Sequence, residues 1–145
     1  MYRRRGGAVE VLLVHPGGPF WQKKDLGAWS IPKGECDTEE NAVEAARREF
    51  EEETSLQLEG GLVPLGAVKQ SGGKTVHAWV IEGDCDPSKI QSNGFSMEWP
   101  PKSGKTQSFP EIDRAAWFSV EDARGKLHTG QVPFLDRLLD LLDRS

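Results

Sequence analysis

Two rhythms of apolar residues run along the chain. Residues 8–15, AVEVLLVH, set Val9, Val11 and Leu13 at alternate positions, the period of a strand. Residues 28–31 read as a shorter strand, ended by Pro32 and Gly34. Residues 62–69 and 75–82 read as a hairpin around Gln70-Ser71-Gly72-Gly73-Lys74, a turn-rich spacer. Strands at 95–99 and 115–119 follow, and Pro100-Pro101 stop the first. The helical period appears at about 38–54, at 120–127 and at 131–143. In the last of these Leu135, Leu138, Leu139 and Leu142 fall at i, i+3, i+4 and i+7, a core-facing stripe. Residues 16–19, 20–26, 83–94 and the donor-rich 102–110 read as loops. The first strand begins close to Met1, so either its partner stretch starts upstream of Met1 or this strand is short. Strands flank one helix, and further strands and closing helices come after it. That order predicts the α/β (α+β) class, an α/β/α sandwich with a mixed central sheet. A length of 145 residues predicts one domain, 1–145.

The helix at 38–54 is unusual in its charge. It holds seven glutamates and two arginines. Glu49, Glu52 and Glu53 stand at i, i+3 and i+4, within an arc of roughly 100° on one face. Like charges so spaced repel by a few tenths of a kcal/mol per pair. A divalent cation with oxygen ligands would offset that repulsion. Val43, Ala46 and Phe50 form a neighbouring apolar stripe for packing on a sheet. Ala42 and Ala45 lie on the acidic face, where small side chains leave room for a ligand. Glu40, Glu44, Arg47 and Glu51 are expected to face solvent. Arg48 adjoins Glu49 and precedes Glu52 by four, so it can hold one carboxylate by a charge-assisted hydrogen bond.

These residues carry a family resemblance. Gly34, Glu40, Arg48, Glu49, Phe50, Glu52, Glu53 and Leu56 match the pattern Gly-x5-Glu-x7-Arg-Glu-U-x-Glu-Glu-x-Gly-U of the Nudix (MutT-type) hydrolases, where U is bulky and apolar. Trp29-Ser30-Ile31-Pro32-Lys33 resembles the usual lead-in. One fixed position departs, because Ser55 stands where the pattern has its second Gly. The resemblance implies the Nudix fold over nearly the whole chain. It also implies Mg²⁺, with Mn²⁺ as a substitute, and hydrolysis of a pyrophosphate bond in a nucleoside diphosphate-linked substrate. By the same resemblance Glu52 and Glu53 are metal ligands, and Gly34 adds its carbonyl. Glu49 is a ligand and candidate general base oriented by Arg48. Glu40 is assigned a structural salt bridge. A later loop acid completes the set in many members. Glu111 is the choice here, with Glu98 the runner-up. The alternative function is a catalytically silent nucleotide sensor or adaptor.

Composition narrows the partners. A net charge of −5 argues against a general nucleic-acid surface. No apolar run approaches the ~20 residues of a membrane span, and the basic-then-apolar start lacks a cleavage signal. Two cysteines, Cys36 and Cys85, without CxxC spacing suggest a reduced, cytoplasmic protein. Gly104-Lys105-Thr106 and Gly73-Lys74-Thr75 look like P-loop tails. Both fail, because Trp99 and Val68 occupy the positions where the motif needs its first Gly. Lys33, Lys102 and Lys105 suit a long phosphate chain, favouring a nucleoside triphosphate or dinucleoside polyphosphate. Lys23 and Lys24 are weaker candidates, as is His77 for acid–base work. Trp21, Trp29, Phe95, Trp99 and Phe109 offer faces for stacking on a base, although core packing accounts for most of them. A monomer or homodimer is expected.

Overall fold

The computed structural model describes residues 1–31, 42–58, 60–69, 75–90 and 94–143, without the side chains of Ala42, Glu53, Lys69 and Thr75. Its centre is β2 (Ala8–Pro16), in which Val11, Leu12, Leu13, Val14 and His15 are all buried. Burial of consecutive residues means that both faces of the strand are covered. β7 (Ile112–Ser119) runs antiparallel along one edge, with Val11 opposite Phe118 and Leu13 opposite Ala116. The other edge is shared by β1 (Tyr2–Arg5), by Met1 and by Ser30.

β1 is therefore the partner of β2, and no stretch before Met1 is needed to supply it. It lies within the chain because Gly6 and Gly7 both take positive φ, +60° and +83°. A two-residue turn of that geometry matches the twist of paired strands. The expected strand at 28–31 shrinks to two bridging residues. Ser30 pairs with Val14, and Trp29 bridges in parallel to Leu127 beyond α2 (Val120–Lys126).

β3 (Val63–Lys69) and β4 (Thr75–Val80) form the second antiparallel pair. Tyr2 joins it to the first sheet by accepting from Gly83 N–H and donating to the Ile81 carbonyl, a parallel bridge. The ladders are thus antiparallel, and the parallel bridges Tyr2 to Glu82 and Trp29 to Leu127 give the mixed character. A bulge at Gly66 (φ +87°) turns two β3 carbonyls, those of Leu65 and Ala67, toward Arg137 of α3 (Pro133–Asp143). α3 contributes Leu135 and Leu138 to the core with Val11, Leu13, Trp29, Val80, Ala123 and Leu127. Leu142 packs against that cluster half-buried, so the leucine stripe is core-facing as its spacing predicts.

The third pair was not expected. Residues 102–110 are not all loop: Thr106–Pro110 is a strand, β6, paired with β5 (Gly94–Glu98). Most of β6 is exposed, so its sequence lacks the apolar alternation that marks a half-buried strand. β7 also begins three residues earlier than the apolar pattern indicates. Its polar start is used: Asp113 Oδ1 lies 2.8 Å from His15 Nδ1.

Candidate active site

The site is built on α1 (Ala42–Thr54), the described part of the acidic helix. Phe50 and Ala45 are buried, as is Thr54, and Val43 and Ala46 are half-buried. The helix packs this side toward β4. Ala45 was expected to leave open space beside the glutamates. It is instead packed into the interior, because the buried arc is wider than the Val43–Ala46–Phe50 stripe alone.

The end of α1 is fixed by Ser55, with φ +60°. Ser55 N–H still donates to Glu51 O at 2.9 Å, and Thr54 Oγ1 donates to Phe50 O at 2.6 Å. Glycine is the residue that takes this left-handed conformation without steric cost. We expect Ser55→Gly to raise stability by about 1 kcal/mol, and the melting temperature by about 3 °C, measured by thermal denaturation.

Past Ser55 the chain turns back beside the helix, and its backbone groups need partners. Arg47 donates to the carbonyls of Leu58, at 2.9 Å, and of Gly60. Glu51 accepts from Leu58 N–H at 3.0 Å. Arg47 and Glu51, expected to face solvent, are therefore latches on the returning segment. Glu44 is exposed as expected.

Arg48 lies beside two of the predicted glutamates. Its guanidinium reaches Glu49 Oε1 at 3.0 Å and Glu52 Oε2 at 3.2 Å. One carboxylate was expected; the planar fork of arginine serves both. These groups are partly solvated, with Glu49 22% and Glu52 51% exposed, so the pairs add little stability. Their effect is to set carboxylate direction. Two oxygen-rich anions side by side suit a hard divalent cation, so the donor chemistry fits the metal that the helix spacing suggests. Among the described residues no group of three or more His, Cys, Asp or Glu side chains is placed to hold a metal. Lys33, Gly34, Glu40 and the side chain of Glu53 lie outside the described residues.

The other candidates belong to other elements of the chain. Glu111 is the residue between β6 and β7, exposed, with its carbonyl accepting from Gly17 N–H at 2.8 Å. Glu98 ends β5 opposite Thr106. Lys102, with φ +62°, and Lys105 are exposed in the turn that joins β5 to β6. His77 is exposed and stacks on Trp79, centroids 6.3 Å apart.

A buried polar network went unread in the sequence. His15 is fully buried, with Nδ1 2.8 Å from Asp113 Oδ1 and Nε2 2.7 Å from the Lys24 carbonyl. It ties the 17–24 loop to the central strands. The only sequence signal was a polar residue closing an apolar run. Nearby, Asp25 accepts from Trp29 Nε1 at 2.8 Å and pairs with Lys126. The Lys126 and Trp29 hydrogen bonds hold the Asp25 carboxyl below the ordinary carboxylate range. A lowered pKa in the folded state gives stability that is present above the unfolded pKa and lost as pH falls through the folded one. We therefore expect Asp25→Asn to melt below wild type at neutral pH. That gap should close as the solution is acidified past the carboxylate range, in melts taken across pH.

Comparison with known proteins identifies the domain. Residues 1–138 match the family model described as the NUDIX domain. Among curated proteins, the chain is 29% identical over 123 residues to an octanoyltransferase of Myxococcus xanthus. That match covers 85% of this chain and 30% of the relative, so the chain spans under a third of the curated protein's length. Among solved structures, an Ap4A hydrolase of C. elegans in a binary complex is 23% identical, with a TM-score of 0.63 over 99% of this chain and 93% of that one. The NUDIX domain of Shewanella oneidensis NrtR, complexed with ADP ribose, is 15% identical, with a TM-score of 0.64 over 97% and 82%. A MutT protein of Methanosarcina mazei is 21% identical, with a TM-score of 0.57 over 99% and 91%. The solved structures share the fold, and the family model spans all but the last residues: this chain belongs to the NUDIX domain family.

Proposed function

We propose that this chain is a Mg²⁺-dependent Nudix hydrolase that cleaves a pyrophosphate bond in a nucleoside diphosphate-linked substrate, with nucleoside triphosphates or dinucleoside polyphosphates favoured. The observation that carries this reading is Arg48 paired with both Glu49 and Glu52 on one helical face, within a chain matching the NUDIX domain. The likeness in fold to an Ap4A hydrolase agrees with a polyphosphate substrate.

Glu49, Glu52 and Glu53 would hold the metal, with the Gly34 carbonyl and Glu111 completing the set. When bound, Mg²⁺ supplies charge neutralisation for the phosphates and acidifies the attacking water. Glu49 would take the proton of the attacking water, and Arg48, 3.0 Å from Glu49 Oε1, would keep that carboxylate in position. Lys33, Lys102 and Lys105 offer positive charge to the phosphate chain. Mn²⁺ is expected to substitute, since both ions favour oxygen ligands. Residues 1–145 would act as one such domain, as a monomer or homodimer in the cytoplasm.

A second reading is a sensor or adaptor that binds nucleotide without turnover. The fold likeness to the NrtR NUDIX domain complexed with ADP ribose favours it. A nucleotide panel assayed with and without Mg²⁺ separates the two, with Glu52→Gln run alongside. Mg²⁺-dependent phosphate release that fails in Glu52→Gln is the expected result. Binding without any turnover would favour the sensor, and turnover in Glu52→Gln equal to wild type would count against the site.

A further inference from the structure

Two large rings are held outward on the loop after β2. Phe20 is 59% exposed and Trp21 38%. The loop that carries them is pinned along its length. Gly17 N–H donates to Glu111 O, and a Cβ on Gly17 would meet the Pro110 carbonyl oxygen at 1.9 Å. Gly18 takes φ +100° and its Cα hydrogens face the Phe95 ring, which a Cβ would meet at 2.9 Å. At the far end buried His15 holds the Lys24 carbonyl. Between these anchors Trp21 N–H donates to Gly18 O and Lys24 N–H to Trp21 O. Phe20 then meets Trp99 of the β5–β6 turn edge-on, centroids 5.4 Å apart.

Lysines gather in the two segments that carry these rings, with Asp25, Glu98 and Glu111 at the borders. Residues 16–24 and 99–110 carry Lys23, Lys24, Lys102 and Lys105 and no carboxylate, in a chain of net charge −5. Lys24 Nζ lies 5.0 Å from the Trp21 ring, and Trp99 N–H donates to the Lys105 carbonyl at 2.9 Å. A fixed aromatic surface with lysines beside it suits a ligand that is flat, aromatic and anionic. Rings already held in place lose little freedom on binding.

We propose that Phe20, Trp21 and Trp99 form a stacking platform for the base of a nucleotide, with Lys24 and Lys105 facing its phosphate. This deepens the reading of a nucleotide hydrolase and rests on it for the ligand's identity. Gly17 joins the platform to Glu111 through its backbone, so the base end would lie next to the loop acid assigned to the phosphate end.

The test measures affinity and needs no turnover. Calorimetry compares adenosine 5′-monophosphate with ribose 5-phosphate, which lacks the base, in metal-free buffer. Wild type should bind the nucleotide more tightly than the sugar phosphate. Phe20→Ala/Trp21→Ala should weaken the nucleotide about tenfold, as loss of base stacking does, and narrow its advantage over the sugar phosphate. Phe20→Tyr/Trp21→Phe should restore it, and circular dichroism should show both variants folded. Equal affinity of wild type for the two ligands, or no binding of either, would overturn the platform. So would nucleotide affinity undiminished in the alanine variant. A short single-stranded oligoribonucleotide bound far more tightly than the mononucleotide would overturn it in favour of a nucleic-acid surface. Failure of the hydrolase reading shows separately, as absence of Mg²⁺-dependent turnover by a wild type that still binds the mononucleotide.

Discussion

Glu52→Gln should lower kcat/KM for the best nucleotide substrate by at least ~100-fold at saturating Mg²⁺, the scale of losing one transition-state charge contact. The substitution keeps the size and shape of the side chain and removes its charge. Glu52 is half-exposed and its one described ion pair is with Arg48, so the fold should stand. Stability should change little, because an exposed pair contributes ~0–1 kcal/mol and a like-charge neighbour, Glu49, is relieved. The loss should not be recovered by raising substrate concentration, since in the proposed mechanism the missing charge would act on the metal and the reacting phosphate. Steady-state kinetics with a thermal melt on the same preparation checks both halves. A large drop in melting temperature would mean that Glu52 holds the fold, which its exposure argues against.

Gly17→Ala should be the most damaging small change away from the helix. The reason is a backbone contact and not glycine's freedom in φ. An added methyl would stand 1.9 Å from the Pro110 carbonyl oxygen, so the loop and the β6–β7 junction must separate. Overpacking of this kind costs about 1–3 kcal/mol. It would also break the Gly17 N–H to Glu111 carbonyl bond and shift Glu111 from its place. We expect a melting temperature lowered by about 2–10 °C and a reduced kcat/KM, the activity falling even at temperatures where the variant is folded. Gly27→Ala is a fair control, because a Cβ there meets nothing within 4 Å, although its φ of +71° adds some strain. Melts as high for Gly17→Ala as for wild type would show that the loop yields freely.

Much of this molecule could be read from residue order, for reasons that differ by element. α1 was legible because carboxylates at i, i+3 and i+4 leave a signature no packing helix needs. Its end was legible as well: the departure at Ser55 marks a left-handed turn, and the backbone there has φ +60°. The central strand and α3 carry apolar runs with clear periods, and both are elements of the core. What stayed hidden depends on contacts between distant residues. β6 is solvated on most of its length and exists through its pairing with β5. His15 reads as the polar end of a strand, and its burial depends on Asp113, 98 positions away. Arg47 and Glu51 read as solvent-facing until the chain past Ser55 returns to meet them. The site divides in the same way. Arg48, Glu49 and Glu52 share one helix and one motif. Glu111, Lys102 and Lys105 come from the turns on either side of β6, where position in the chain says little about reach.

The decisive measurement follows the oxygen atom. Wild-type protein is given ATP and diadenosine tetraphosphate in ¹⁸O-labelled water with Mg²⁺, and again with the metal chelated. Cleavage to nucleoside phosphates, with the label on a phosphate product and none released under chelation, is the outcome that attack of water at phosphorus on the α1 carboxylate face requires. Turnover that ignores the chelator, label found away from phosphorus, or no cleavage of any nucleotide would contradict it.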